Sequence, residues 1–120
     1  MKSYKELDIY NLALEYALVV HEISLKLPTY ELYEQGSQIR RSSKSIKDNI
    51  VEGYGRRRYK QDFIRYVTYA HASLLECFSQ LETIERLYNI EGVSALIKQY
   101  DQLGGKIYSF IKYVENNWKT

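Results

Sequence analysis

The stretch "FIRYVTYAHASLLECFSQLETIERLY", residues 63–88, decides the fold. In it Phe63, Val67, Ala70, Leu74, Cys77, Leu81, Ile84 and Tyr88 alternate at spacings of four and three. Residues so spaced share one face of a helix that turns every 3.6 residues. Sustained over the whole segment, the spacing becomes a heptad stripe. That is the seam of near-antiparallel helices packed at about 20°. No glycine or proline interrupts residues 59–88, so the expected helix is roughly 45 Å long.

The neighbouring segments repeat the pattern. Residues 92–117 place Val93, Leu96, Tyr100, Leu103, Ile107, Ile111 and Val114 on one line, which Trp118 continues. Residues 32–53 carry a thinner seam of Ile39, Ser43, Ile46, Ile50 and Gly53, whose small members let a neighbouring backbone come close. The glycines of Gly53-Tyr54-Gly55 suit a helix end. Residues 8–27 hold Tyr10, Ala13, Ala17 and Val20 and stop before Pro28, which disfavours a helical residue ahead of it. Alternating strand patterns are missing. The reading is all-α: an antiparallel up-down-up-down four-helix bundle, with residues 1–120 as one domain. Gly104-Gly105 inside the fourth helix costs roughly 1 kcal/mol per glycine relative to alanine, and either close packing or a local break would account for it.

Composition narrows the function. Cys77 is the single cysteine, so an internal disulfide is excluded and a reducing compartment such as the cytoplasm is expected. No segment has the order of a signal peptide, and no apolar run reaches the ~20 residues of a membrane span. His21 and His71 have no Cys or carboxylate at metal-ligand spacing. Cys77 falls on the core seam, where a cysteine acts as a small hydrophobe. Glu52 and Glu76 have no histidine or metal partner to make them a catalytic pair. The Gly-Tyr-Gly turn lacks the further glycine or lysine of a phosphate loop. The expectation is a protein that is not an enzyme and uses no cofactor or metal.

There is more apolar surface than one bundle needs. Leu12, Tyr16, Val19 and Ile23 form a second line on the first helix, and Ile64, Leu75 and Phe78 lie off the main seam of the third. A solvated helix needs one apolar arc. These seven residues are therefore the expected interface of a homo-oligomer. The alternative is a wide arc that packs on two neighbours inside one protomer.

Charge is concentrated in one place. Residues 37–65 hold nine of the 17 lysines and arginines and only three acids, in a chain of net charge +2. With Ile39, Ser43, Ile46 and Ile50 facing the core, Arg40, Lys44 and Lys47 fall on one flank. Arg41 lies on another line with Ser45, Asp48 and Glu52, so it is expected to be tied to acids. The following turn adds Arg56, Arg57, Arg58 and Lys60, interleaved with Tyr54 and Tyr59. Arginine forks suit phosphate oxygens, and aromatic faces stack on unpaired bases. The same cluster also suits a solvated surface, or one paired with an acidic partner.

The segments "QIRRSSKSIKDNIVEGYGR", residues 38–56, and "AHASLLE", residues 70–76, carry a specific resemblance. They are similar to a small bacterial four-helix-bundle family first noticed as products of intervening sequences in 23S ribosomal RNA genes. The matching positions are Gln38, Ile39, Arg40, Arg41, Ser45, Ile46, Asn49, Ile50, Glu52, Gly53, Arg56, Ser73, Leu74 and Glu76, with Leu7, Ala13, Pro28 and Glu31 upstream. Two positions depart: Lys47 stands where proline is common, and Ala72 where glycine is common. The resemblance implies a ring of five copies. It extends to the accessory proteins of diversity-generating retroelements, which bind nucleic acid and a reverse transcriptase. Expected partners are thus further copies of the chain, RNA or DNA, and a reverse transcriptase or other protein. On this reading Arg40, Lys44, Lys47, Arg56, Arg57, Arg58 and Lys60 contact nucleic acid. Asn49, Glu52 and Glu76 form a structural polar network that includes Arg41 or Arg56, with Arg41 the one assigned to it. The rival is a scaffold whose basic stripe pairs with acidic partner surfaces.

Overall fold

The computed structural model describes residues 3–119. Four α-helices carry the fold: α1, Asp8–Ser24; α2, Gln35–Gly55; α3, Lys60–Leu87; and α4, Val93–Asn117. Short 3₁₀ turns lie at Tyr4–Glu6 and, between α1 and α2, at Thr29–Glu31. Each helix packs on its neighbours in the chain, and α1 also packs on α4, which closes the bundle. The α2–α3 pair is the most extensive. It is antiparallel: Ser42 meets Gln80 and Ser45 meets Ser73, so numbers rise on one helix as they fall on the other. The result is an up-down four-helix rod of 48 × 22 × 20 Å.

The seams read from the sequence form the core. On α3 every seam residue from Phe63 to Ile84 is buried. Tyr88 is half buried because α3 ends just before it, and its hydroxyl donates 2.7 Å to Glu31 Oε2. This bond ties the Thr29–Glu31 turn to the end of α3. On α4 the seam runs unbroken through Gly104 and Gly105. Close packing is therefore the reason for Gly104, since a Cβ there would lie 3.3 Å from Leu74 Cδ2. Gly92, at φ 93°, supplies the left-handed turn that opens α4.

Two boundaries differ from the sequence reading by three residues, and the others by two or fewer. Helix α1 stops at Ser24, three residues early, and Leu25–Leu27 continue as turns. Helix α2 starts at Gln35 instead of residue 32, because the chain leaving Pro28 first makes a 3₁₀ turn and no side chain caps α2 earlier.

The expected subunit interface needs a larger correction. Tyr16 and Ile23 are only 7% and 3% exposed and belong to the protomer's own core. Tyr16 sets its ring edge-on to Tyr100 of α4 at 5.4 Å. For these two residues the wide-arc alternative holds, because α1 packs on α2 and α4 at once. Leu12, Ile64 and Phe78 are half buried against the core. Val19 and Leu75 remain exposed, at 39% and 57%.

Two core details make testable statements. A Cβ at Gly53 would lie 3.2 Å from Tyr66 Cβ and 3.3 Å from the Phe63 carbonyl oxygen, and neither atom moves without shifting α3. A Cβ at Gly55 would meet nothing within 4 Å. Gly53→Ala should thus lower stability by about 1–2 kcal/mol, while Gly55→Ala should raise it by roughly 0.5–1 kcal/mol. Urea denaturation of the two variants should give opposite signs; equal signs would refute the close approach.

The second concerns Tyr100, which is fully buried and whose hydroxyl has no hydrogen-bond partner among the described residues. The neighbouring Cys77 thiol offers it at most a weak sulfur contact. Tyr100→Phe should therefore leave stability unchanged or raise it by up to about 1 kcal/mol. A loss above about 1 kcal/mol in urea melts would mean that the hydroxyl is bonded after all.

Candidate nucleic-acid interface

The basic segment spans α2 and the turn into α3, and the structure sorts its cations by what holds them. Arg40 projects toward the end of α1. Its Nη1 donates 2.9 Å to Ser24 Oγ and its Nη2 donates 2.9 Å to the Leu32 carbonyl. Ser24 in turn donates to the His21 carbonyl at 2.7 Å. Arg40 is thus a clamp joining α1, the connecting loop and α2, and its guanidinium is spent on the fold. This corrects its expected role as a phosphate contact.

Three more expected contacts are engaged by their own chain. Lys47 is half buried and reaches Asp48 Oδ1 at 2.6 Å. Arg56 donates through Nε to Glu52 Oε2 at 2.8 Å, lies 3.7 Å from Asp62, and sits 4.8 Å over the Tyr66 ring. Its pKa is raised, chiefly by the Glu52 bond. Arg57 donates to the Tyr54 carbonyl at 3.0 Å and stacks over the Tyr54 ring at 4.0 Å. The Arg57 carbonyl accepts 3.2 Å from Trp118 Nε1, which pins the end of α4 to the turn.

Of the remaining cations Arg65 lies 3.4 Å from Asp62, and four carry no side-chain hydrogen bond or ion pair to any described residue. Lys44 is exposed on α2. Arg58 is exposed on the turn, with its guanidinium 5.9 Å from the exposed Tyr59 ring. Lys60 is half buried at the start of α3. Arg41, expected in a structural network, is the fourth, and it too is exposed. Of these two neighbours Arg40 is thus the one held by the fold and Arg41 the one that faces solvent. One residue of shift is about 100° around a helix, and that angle decides whether a side chain meets α1 or water.

The polar network also has different members. Asn49 Nδ2 donates to the Ser45 carbonyl at 2.9 Å and to Ser45 Oγ at 3.1 Å. Ser45 Oγ then meets Ser73 Oγ across the α2–α3 interface at 2.9 Å. The serines were visible as motif residues, and an antiparallel register would have paired them. Glu76 is exposed and outside this network, and Glu52 is an exposed partner of Arg56.

Above this network lies a groove of about 530 Å³. Arg41, Ser45, Asp48, Asn49, Glu52 and Arg56 line it from α2, at steps of three and four along one face, with Lys44 beside them. Tyr66 of α3 completes it. Its acids are balanced within the chain, Asp48 by Lys47 and Glu52 by Arg56, which leaves Arg41 and Lys44 as uncompensated charge. Elsewhere, burial pushes the Cys77 thiol up to about 11, which keeps it protonated and unreactive near neutrality. Among the described residues, no group of three His, Cys, Asp or Glu side chains could hold a metal ion, and no helix is long and apolar enough to cross a membrane.

Comparison with known proteins bears on the same elements. A family model described as 23S rRNA-intervening sequence protein matches residues 5–109. A crystal structure from Bacteroides thetaiotaomicron, of a protein of unknown function in the S23 ribosomal protein family, superposes with a TM-score of 0.77. It is 23% identical, over 87% of this chain and 95% of the other, and it shows the shared fold. No curated protein matches the chain.

Proposed function

The chain belongs to the family of 23S rRNA-intervening sequence proteins, and from that premise we propose a non-enzymatic, oligomeric bundle that binds RNA or DNA. The observation that carries this reading is the uncompensated charge of Arg41 and Lys44, one turn apart on the exposed face of α2. Arg58, Lys60 and the exposed ring of Tyr59 extend it around the α2–α3 turn. The binding set is then Arg41, Lys44, Arg58 and Lys60, with the ion-paired Arg56 at its edge.

Cations without counter-charges bind phosphate by releasing the counterions around it, so affinity must fall with salt. Four phosphate contacts give a slope of log affinity against log salt of roughly −2.8 for a single strand and −3.6 for duplex. Raising salt from ~50 to ~200 mM should then weaken single-strand binding about 50-fold. Fluorescence anisotropy with labelled oligonucleotides measures this. A flat salt response, or no binding at low salt, would overturn the proposal.

The oligomeric part rests on apolar surface left open between α3 and α4. A groove of about 370 Å³ there is lined by Leu75, Phe78 and Tyr108, beside Gly104. A further copy of the chain is its proposed occupant, in the ring of five that the resemblance implies. Sedimentation should give five times the 14.3 kDa protomer mass. A stable protomer at micromolar concentration would remove the assembly.

A further inference from the structure

Resting on the nucleic-acid reading above, we infer that the groove between α2 and α3 holds one unpaired nucleotide and reads its base as amino-bearing, guanine best and uracil least. Three features of the groove lead there.

The first is shape. A duplex backbone runs over a surface, whereas a concave site of about 530 Å³ admits a splayed-out base. The second is the mixture of charges. A track for phosphates alone would be lined by cations, and this groove also contains Asp48, Glu52 and Asn49. Carboxylates repel phosphate but accept hydrogen bonds from the N–H groups of a base edge. Arg41 and Lys44 are the groups left to neutralise the phosphate.

The third feature is the fixed amide of Asn49. Its Nδ2 is committed to the Ser45 carbonyl and Ser45 Oγ, and Ser45 is anchored across the interface by Ser73. What the amide has left to offer is its Oδ1, an acceptor that bonds no described residue. Glu52 uses Oε2 on Arg56 and Asp48 uses Oδ1 on Lys47, which leaves one carboxylate oxygen of each without an ion-pair partner among the described residues. The groove therefore presents acceptors held in place by bonds already made. Guanine brings three N–H bonds on its pairing edge, adenine and cytosine bring an amino group, and uracil brings one N–H between two carbonyls. Uracil carbonyls would face acceptors and lose their hydrogen bonds to water. Tyr66 supplies the aromatic wall.

The test uses fluorescein-labelled oligouridine RNAs that carry a single central G, A, C or U, read by anisotropy. The G oligomer should bind about tenfold tighter than the all-U one, the usual worth of a good base-edge contact. Asn49→Ala, and independently Glu52→Gln, should bring that ratio close to one. Arg41→Gln with Lys44→Gln should weaken all four oligomers. Arg86→Gln, an exposed cation on α3 outside the groove, is the control and should change nothing. Should Asn49→Ala lose helicity, Glu52→Gln still decides, because Glu52 is exposed. Equal affinity for all four RNAs would overturn the groove inference and leave the phosphate interface standing. Displacement of the G oligomer by polyglutamate at equal charge would overturn it too, marking a general anion site, as would tighter binding of duplex. Absence of binding to every oligomer would overturn this inference and the proposed function together.

Discussion

Replacing Phe63 with alanine should remove about 3–5 kcal/mol of stability, the range for deleting a fully buried phenyl ring. Phe63 has no exposed surface and sits where three elements converge. Its carbonyl and ring lie against Gly53 of α2. Its ring meets Phe110 at 5.7 Å and Trp118 at 5.1 Å, both edge-on. Such pairs add about 0.5–1.5 kcal/mol beyond their buried area. The loss should also spread. Trp118 holds the Arg57 carbonyl through its indole N–H, so an emptied Phe63 site loosens the end of α4 and the α2–α3 turn with it. Urea denaturation followed by circular dichroism gives the magnitude. A double-mutant cycle with Trp118→Ala should show a coupling of about 0.5–1.5 kcal/mol. A loss below about 1 kcal/mol would mean that the aromatic cluster is not what closes this end of the bundle.

The α3 seam could be read from spacing alone, because a heptad stripe commits one face of a helix whatever its partners are. The same logic placed Ile39, Ile46 and Ile50 of α2 and the buried residues of α4. It failed wherever the answer depended on a second element. Tyr16 and Ile23 looked surplus because a wheel shows the width of an arc and not how many neighbours share it; α2 and α4 share this one. Arg40 and Arg41 are adjacent in sequence, and only the place where α1 ends shows which is the clamp. Asn49 was expected among acids, but it bonds Ser45 one turn earlier on its own helix, and only the α2–α3 register shows that Ser73 holds that serine. Glu76 was drawn into the network by its motif position, while its helix face turns it to water. The chemical character of the basic segment was legible; the division of labour within it was not, since ion pairs such as Arg56–Asp62 form between side chains that a sequence can only list.

That division makes the strongest functional prediction. Changing Arg41, Lys44, Arg58 and Lys60 together to glutamate should weaken nucleic-acid binding by more than about 100-fold near 0.1 M salt and flatten the salt slope. Each change alters the charge by −2, so the formal net charge falls from +2 to −6. Folding should survive, because none of the four side chains has a hydrogen bond or ion pair to a described residue. Substitutions at the exposed Arg41, Lys44 and Arg58 stay within about 0.5 kcal/mol each, and the half-buried Lys60 has no ion pair to a described residue. Arg40→Ala is the opposite case. It should lower stability by about 2 kcal/mol, through two lost guanidinium bonds, and leave affinity unchanged. The native mass of the quadruple variant separates the two readings of the basic surface. An unchanged oligomer that no longer binds means that the cations face nucleic acid. An oligomer that falls to protomers means that they face acidic groups of a neighbouring copy, which is the scaffold reading. If the quadruple variant binds within about twofold of the original chain, these four residues are not the interface, because four phosphate contacts cannot be reversed in sign at so small a cost.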